Sequence, residues 1–341
     1  MAVEPQAGRT VQLSTQAMAT EFAVILNGED TKYLSAASDA LELVHELEDR
    51  LSFFRQWSEL SQVNAQAAER PVAVKPDLFE LLKTAKRIAE QTEGAFDPTS
   101  GPLLRLWRWC RKERRVPSKE ELDAVLKAVG YRLVELKEQD QTVKFLQPET
   151  QLDLGAIGKG FAIDRIGEEL DKANVTDWLV HGGYSSLKAR GGHNGLDGWP
   201  VGLRHPLFPK KRMGTVLLRE AALSTSGSGV QFFRVQGKRY GHILDPQTGW
   251  PAEGILSVTV IAPTATEADA LSTAFYVAGV EKSLQIWNNL EDVGLILVPH
   301  PGGNRRLSPI VCGVPKDVLF FTDPQVYPVS VEEWFNSVAA F

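Results

Sequence analysis

The sequence predicts an α+β fold in which helices pack on a mixed, largely antiparallel sheet. Helical periodicity is strongest in the first half of the 341-residue chain, whereas residues 178–260 form short β runs broken by glycines. Because the two kinds of element are partly segregated, a doubly wound parallel sheet is disfavoured. No linker divides the chain, so we expect one domain over residues 14–300, with two lobes as an option. A C-terminal tail over residues 301–341 is expected to pack on its body.

The predicted elements of the first half begin with a strand in "MATEFAVIL". Apolar residues then recur at helical spacing over residues 34–51, and a second helix over residues 76–94 stops at a glycine. Ser118 and Glu121 have the spacing of a capping box, which opens a third helix. The runs "YRLVEL" and "TVKFLQ" follow this helix, and both are typical of strands.

The second half is predicted to supply most of the sheet. Its strand-like runs are "DWLVHGG", "WPVGLR", "TVLLRE", "FFRVQGKRYGHIL" and "LSVTVIAP". The letters "QGK" inside the fourth run predict a hairpin turn. The segment "ATEADALSTAFYVAG" then predicts a helix, and "SVEEWFNSVAAF" near the C-terminus predicts a short amphipathic helix that docks on the body.

Composition excludes several classes of protein. The formal net charge of −6 gives no support for nucleic-acid binding, which requires a basic surface, and "RKERR" is interpreted as a solvated loop. The two cysteines, Cys110 and Cys312, exclude both a disulfide framework and a cysteine-rich zinc site. No apolar run approaches the ~20 residues of a membrane span, and the N-terminus lacks a secretory signal.

A glycine-rich turn in "LDLGAIGKGFAIDR" precedes a predicted helix. Free backbone N–H groups at such a helix start form an anion site, because the helix dipole also favours negative charge. The glycine spacing matches neither a Walker loop nor the dinucleotide-binding motif. Taken by itself, the pattern therefore leaves two interpretations open, a phosphate site and a plain glycine turn.

The segment "TATEADALST" places three oxygen-bearing side chains on one side of a predicted helix, namely Asp269, Ser272 and Thr273. Glu267 lies three residues after Thr264 and is interpreted as a capping-box residue. Carboxylate and hydroxyl oxygens are hard ligands, which suit Mg²⁺ better than zinc. The spacing therefore favours a magnesium site, with a polar helix face without a ligand as the alternative.

Three further motifs bear on the chemistry. The six histidines show no zinc spacing, but His242 stands at a predicted strand end just before "ILDPQTG". The glycines of "TSGSG", residues 225–229, allow close backbone approach by a ligand. The stretch "EGAFDPTSGPLLRLW" is interpreted as a helix stop followed by a turn, with Asp97 and Pro98 as turn residues.

The order of these motifs resembles the ApbE family, the FAD:protein FMN transferases. The matching blocks cover roughly residues 16–279. They are "AMATEF", "LSFFRQWSELSQVN", "EGAFDPTSGPLLRLW", "LDLGAIGKGFAIDR", "LVHGG", "LSTSGS", "GKRYGHILDPQTGWP" and "SVTVIAPTATEADALSTAFYVAG". The resemblance implies a compact α+β fold related to the T-fold, FAD as donor and Mg²⁺ as the required ion. Two departures are Ala19, where the family usually has glycine, and the unusual "YSS" at residues 184–186.

The resemblance also implies a set of site residues. Met18 and Phe54 would flank the flavin, and the backbone of Leu244 would touch the nucleotide. His242 would act as the general base and, with Asp269, form the catalytic pair. The remaining FAD-binding positions are Ala95, Phe96, Asp97, Asp153 and Lys159. The implied metal ligands are the carbonyl of Ala156 and the side chains of Asp269, Ser272 and Thr273.

The activity implied by the resemblance is Mg²⁺-dependent transfer of the FMN moiety of FAD to a threonine or serine hydroxyl of an acceptor flavoprotein, with release of AMP. The acceptor would be an FMN-binding subunit of a redox-driven ion pump. One alternative is an FAD diphosphatase that uses water as acceptor, and another is a flavin-binding carrier without turnover. The family implies the periplasm or cell envelope, which would require a leader that has been removed.

Overall fold

The computed structural model describes residues 9–227, 232–301 and 306–338. Within these ranges the chain forms eight α-helices. They are α1 (Leu34–Leu51), α2 (Glu59–Gln66), α3 (Pro76–Gln91), α4 (Gly101–Lys112), α5 (Lys119–Leu126), α6 (Gly158–Lys172), α7 (Ala265–Trp287) and α8 (Val331–Val338). None of these helices has the length and apolar character needed to cross a membrane.

The described strands form one large antiparallel sheet and three small ones. The large sheet has the order β1-β2-β6-β7-β10-β13-β14-β15. Its strands are β1 (Thr10–Ala17), β2 (Thr20–Asn27), β6 (Trp178–Gly182), β7 (Ser186–Arg190), β10 (Ala221–Gly227), β13 (Ile255–Ala262), β14 (Gly294–Pro299) and β15 (Ile310–Cys312). One small sheet consists of β3 (Val72–Ala73), β5 (Thr142–Phe145) and β4 (Val134–Lys137). A second consists of β16 (Leu319–Phe321), β9 (Arg212–Leu218) and β8 (Trp199–Arg204). The third is the hairpin of β11 (Phe232–Val235) and β12 (Lys238–Gly241). The predicted α+β class with a largely antiparallel sheet is confirmed.

Both faces of the large sheet are covered, so its strands alternate between two apolar cores. On β6, for example, Val180 belongs to the main core with the helices, whereas Leu179 belongs to a second core with strands β8 and β9. Helices α6 and α7 lie on the main-core side and contact each other extensively. Of the C-terminal residues, β15 extends the large sheet and β16 pairs with β9.

Several local predictions are confirmed. Ser118 and Glu121 form a complete capping box at the start of α5. The "QGK" turn joins β11 and β12, with Gln236 and Gly237 both in the left-handed region, as a two-residue hairpin requires. Thr264 caps α7 by accepting a hydrogen bond from the backbone N–H of Glu267. The segment "SVEEWFNSVAAF" contains α8, as its periodicity predicts.

The prediction for "GPLLRLWRWCRKERR" was wrong in part. Gly101 and Pro102 open helix α4 instead of continuing a turn, because proline is tolerated in a first helical turn, where its missing N–H has no partner to lose. This helix continues to Lys112, so the first two residues of the "RKERR" loop are helical. The charged residues of this segment are nevertheless largely exposed.

The contact between α6 and α7 depends on Gly160. A Cβ atom at this position would lie 2.1 Å from the backbone oxygen of Ala265, which neither helix can avoid without moving. Gly160→Ala is therefore expected to destabilise the fold by about 1–3 kcal/mol, the usual cost of overpacking, although alanine normally favours helices. Urea unfolding measures this difference. Gly158→Ala is the matched control, because nothing lies within 4 Å of its added Cβ; equal stabilities of the two variants would contradict the packing role.

Candidate active site

The centre of the candidate site is the carboxylate of Asp269 on α7, which is only 4% exposed. It accepts hydrogen bonds from the Lys159 ammonium at 3.2 Å to each oxygen and from the Gly160 backbone N–H at 3.1 Å. The hydroxyls of Ser186 and Ser224 donate to its Oδ1 atom at 2.9 and 3.2 Å. A buried carboxylate is costly unless its charge is matched, and here one cation and three neutral donors supply the match.

Helix α7 is held in this position by Asp164 of α6. Its carboxylate accepts hydrogen bonds from the backbone N–H groups of Ala265 and Thr266 at 3.0 and 2.9 Å. It also accepts one from the Thr266 hydroxyl and pairs with Lys188 at 2.8 Å. Sequence reasoning missed this residue, although an aspartate within the apolar stretch "FAIDRIG" was a usable signal. Asp164 thus joins α6 to the N-terminal end of α7.

A network of hydroxyls extends from Asp269 along strand β10. Ser186 and Ser224 face each other in register and lie 3.0 Å apart, Oγ to Oγ. Farther along β10, Ser226 lies 2.9 Å from the Ser272 Oγ and 3.4 Å from the Thr273 Oγ1. The last two residues of the "TSGSG" stretch, at positions 228 and 229, lie outside the described residues. Strand β10 therefore links the buried carboxylate to the hydroxyls of α7.

The two predicted hydroxyl ligands on α7 differ in accessibility. Ser272 is fully buried, and its hydroxyl donates to the backbone carbonyl of Asp269 at 3.0 Å. Thr273 is half-buried and lies one helical turn beyond Asp269, on the same side of α7. Of the two hydroxyls, that of Thr273 is therefore the better placed to reach a bound ion.

The side chains of Asp269 and Thr273, which lie on one side of α7, offer a carboxylate and a hydroxyl, both oxygen ligands of the kind that a hard cation such as Mg²⁺ prefers. Ala156, whose carbonyl is the third predicted ligand, lies in the turn before α6. The described residues contain no group of three His, Cys, Asp or Glu side chains that could hold a metal ion. The Lys159 ammonium, equidistant from both carboxylate oxygens, already takes the place of a cation at this site.

Two predicted FAD-binding blocks lie side by side. The backbone N–H of Asp153 donates to the carbonyl of Pro98 at 2.7 Å, which joins the turn before α6 to the turn after Phe96. Desolvation raises the pKa of Asp153, and the hydrogen bond that its carboxylate accepts from the backbone of Gly155 offsets this only in part. Ala95 and Phe96 are buried in the main core.

The carboxylate of Asp97 is hydrogen-bonded within its own turn and to Tyr131. It accepts hydrogen bonds from the Thr99 backbone N–H and hydroxyl at 2.8 and 2.6 Å, and from the Tyr131 backbone N–H at 2.7 Å. Burial nevertheless raises the pKa of Asp97, because desolvation outweighs these bonds. The geometry therefore supports a positioning role for this side chain, which shapes the turn beside Asp153.

The predicted flavin-flanking residues lie in two different segments of the chain. Met18 and Ala19 form the two-residue turn between β1 and β2, and both have positive φ angles, 49° and 59°. A two-residue hairpin requires such angles, so they set the shape of this turn. Phe54 is 59% exposed and lines a surface cavity of about 530 Å³ with Arg105 and Arg108. The residues that line this cavity are all different from those that contact the Asp269 carboxylate.

His242 is exposed and directly follows β12, as the sequence predicts. The loop after it is closed by the bridge between Leu244 and Pro251. Two contacts tie this loop to the body of the protein: Gln247 Nε2 donates to the Glu93 carbonyl at 3.0 Å, and Trp107 Nε1 donates to the Gly249 carbonyl at 2.7 Å. The imidazole therefore lies at the start of an anchored loop, on the surface of the protein.

His181 is a buried residue that sequence reasoning did not single out. It is 3% exposed, neither ring nitrogen has a hydrogen-bond partner among the described residues, and Tyr184 stacks on the ring at 4.3 Å. Burial lowers the pKa of His181, although Glu21, bonded to the Tyr184 hydroxyl, acts in the opposite direction. The folded protein therefore favours the neutral imidazole.

His181→Phe is expected to reduce the acid sensitivity of the fold. As pH falls, the unfolded wild-type chain binds a proton at this residue at a higher pH than the folded chain does. The free energy of unfolding therefore decreases as pH falls below about 6.5. The difference in free energy of unfolding between variant and wild type should grow by up to about 1.4 kcal/mol for each pH unit below that value. Urea unfolding between pH 7.5 and 5 measures it. Parallel pH profiles for the two proteins would contradict this account.

Comparisons with known proteins agree with this architecture. The ApbE family model matches residues 18–297. The FAD:protein FMN transferase of Escherichia coli K12 is 31% identical over 282 residues, which cover 80% of each chain. That of Treponema pallidum is 34% identical over 280 residues, or 77% of each chain.

Solved structures show the same relationship. The ApbE protein of Thermotoga maritima superposes with a TM-score of 0.79 at 33% identity, covering 86% of this chain and 96% of its own. The flavin transferase ApbE of Vibrio cholerae gives a TM-score of 0.78 at 26% identity, covering 90% and 98%. These matches confirm the predicted family and the prediction of a transferase enzyme. The chain belongs to the ApbE family.

Proposed function

We propose that the protein transfers the FMN moiety of FAD to a threonine or serine hydroxyl of an acceptor protein, with Mg²⁺ as the required ion and AMP as the second product. The observation that carries this proposal is the buried Asp269 carboxylate at the N-terminal end of α6. Relatives that are named FAD:protein FMN transferases support it. We propose an FMN-binding subunit of a redox-driven ion pump as the acceptor.

The start of α6 is suited to the diphosphate of FAD. The N–H groups of Gly155, Gly158 and Gly160 are already bonded, to Asp153, Leu154 and Asp269 respectively. The anion site therefore depends on the positive end of the α6 dipole and on Lys159. Lys159 lies in the first turn and is about one-quarter exposed, which lets its ammonium reach either Asp269 or a phosphate oxygen. Phosphoryl transfer needs chiefly such positioning and neutralisation of charge.

The ion would be held by Asp269, Thr273 and the carbonyl of Ala156. When bound, Mg²⁺ supplies Lewis-acid stabilisation of the charge on the diphosphate oxygens. Ser186 and Ser224 keep the Asp269 carboxylate oriented, while Ser272 supports the helix from its buried position. Lys159 lies beside this carboxylate and adds a second positive charge with which to bind the diphosphate.

His242 is proposed as the general base. The acceptor hydroxyl oxygen forms a bond to the phosphorus of the FMN moiety, the bond from that phosphorus to the AMP oxygen breaks, and the hydroxyl proton passes to an imidazole nitrogen. The exposure of His242 suits a hydroxyl delivered by a second protein. It equally allows water to reach the same place, which makes an FAD diphosphatase the second candidate. A carrier without turnover has less support, because it gives neither Asp269 nor His242 a role.

The test incubates the protein with FAD, Mg²⁺ and an acceptor FMN-binding domain. Intact mass measures covalent FMN on the acceptor, and chromatography measures AMP and free FMN. Transfer predicts equal amounts of AMP and modified acceptor, and no modification when the acceptor threonine is replaced by valine. AMP with only free FMN would establish the diphosphatase instead, and absence of AMP would leave only flavin binding.

A further inference from the structure

One surface of the protein concentrates positive charge although the chain as a whole carries −6. We call it the basic platform, and define it as α4 with the three residues after it and the β11–β12 hairpin. The exposed cations of its helical part are Arg105, Arg108, Arg111, Lys112 and Arg114. Those of the hairpin are Arg234, Lys238 and Arg239. Glu113 is the one acidic residue in residues 101–115 and 232–241.

The two parts of the basic platform form one continuous surface. Trp107 of α4 packs edge-on against Phe233 of the hairpin at 5.8 Å and against Trp250 at 5.5 Å, ring centroid to centroid. Tyr240 completes this small cluster at 5.9 Å from Trp107. The positive charges of helix and hairpin therefore act on the same approaching molecule.

Several of these charges are not neutralised within the protein. Arg105, Arg111 and Lys238 form no ion pair with any carboxylate in the part of the chain that the structure describes. Elsewhere ion pairs are frequent, as between Arg87 and Glu267 or Lys282 and Glu93. A cluster of unmatched cations on an acidic protein favours a negatively charged partner.

Exposed aromatic rings alternate with the cations. Arg115 lies over the ring of Trp109 at 4.3 Å, and Arg239 lies over that of Phe232 at 3.9 Å. These aromatic residues are 50% and 40% exposed. Arginine and aromatic residues are the types enriched at protein interfaces, whereas lysine is depleted there. The composition of the platform thus suits recognition of a protein.

The basic platform also adjoins the proposed base. Strand β12 ends at Gly241, and His242 is the next residue. Trp250, at the far end of the loop that follows His242, belongs to the aromatic cluster beneath the platform. Any protein that presents a hydroxyl at His242 must therefore lie beside or over the hairpin.

We infer that the basic platform docks an acidic surface of the acceptor protein, next to the hydroxyl that receives FMN. This inference rests on the proposed function and adds the chemistry by which the acceptor is recognised. Complementary charge chiefly accelerates association and selects partners. The platform should therefore govern the KM for the acceptor and leave the chemical step unchanged.

The test reverses three platform charges together, Arg111→Glu, Arg234→Glu and Lys238→Glu, none of which touches the proposed site. We expect the KM for the acceptor domain to rise about 10-fold or more, as loss of electrostatic steering predicts, with kcat and FAD affinity within about twofold of wild type. The salt dependence of kcat/KM should weaken in parallel. Replacing acidic residues beside the acceptor threonine by their amides should raise the KM of the wild type in the same way.

The matched control reverses three exposed cations outside the platform, Arg204→Glu, Lys210→Glu and Lys316→Glu, and so changes the net charge equally. Equal KM values for the two triple variants, with transfer intact, would overturn the inference alone. Absence of transfer by the wild type would overturn the proposed function and the inference with it. Platform-dependent binding of single-stranded DNA or of phosphatidylserine vesicles, with acceptor KM unchanged, would also overturn it. Melting temperatures and FAD titrations on each variant check that it is folded.

Discussion

Asp269→Asn is expected to abolish FAD turnover, with a loss of about 10²–10³-fold or more, because it removes the buried negative charge at the α6 N-terminus while keeping the side-chain shape. Its amide would also oppose the Lys159 ammonium and the Gly160 N–H, both of which now donate to the carboxylate. Steady-state release of AMP from FAD measures the effect.

The control for this variant is Glu267→Gln on the same helix. Glu267 bonds to Thr264 at the helix start and pairs with Arg87 at 2.7 Å. Glu267→Gln should lower the free energy of unfolding by about 0.5–2 kcal/mol, as replacement of other capping residues does. Its turnover should stay near that of the wild type. Similar turnover in both variants, with both folded, would contradict the central role of Asp269.

His242→Ala is expected to retain FAD binding but to lose about 10²–10⁴-fold in the rate of FMN transfer, the usual share of general acid–base catalysis. Single-turnover transfer at saturating FAD, from pH 5 to 9, isolates this step. The wild-type rate should fall on the acidic side as the imidazole gains a proton and ceases to be a base. The variant should lack this acidic limb.

His300→Ala is the matched control, because His300 is also exposed and also directly follows a strand. It should keep both the wild-type rate and the wild-type pH profile. If His242→Ala bound FAD less well and kept the acidic limb in its residual rate, His242 would be a structural residue. Catalysis would then depend on positioning of the diphosphate alone.

Local patterns in the sequence predicted the parts of the site that lie within one element. The i, i+4 spacing of Asp269 and Thr273 and the cap at Thr264 follow from helical geometry, and the β11–β12 turn follows from "QGK". The hydrogen-bond partners of Asp269 could not be found in this way. Lys159 and Ser186 lie 110 and 83 residues from it, and only the packing of α6 and β7 brings them to the carboxylate.

Helix α4 shows a second reason why the sequence did not predict every feature of the structure. Its opening residues, Gly101 and Pro102, are those of a turn, and only the apolar face behind them, with Leu103 and Trp107 buried, identifies a helix. The last two basic residues of this helix, Arg111 and Lys112, were interpreted as part of a solvated loop, because sequence alone does not show that the β11–β12 hairpin lies against the helix. Contacts between elements that are distant in sequence determine both where α4 begins and what surrounds its basic residues.

The most direct test of the central claim, that Asp269 joins the ion to the diphosphate, is calorimetric titration of FAD with and without Mg²⁺. In the wild type we expect Mg²⁺ to raise the affinity for FAD by about 5–150-fold, the usual range of coupling between two ligands. In Asp269→Asn the affinity for FAD should be the same with and without the ion. An equal gain from Mg²⁺ in both proteins would contradict the claim.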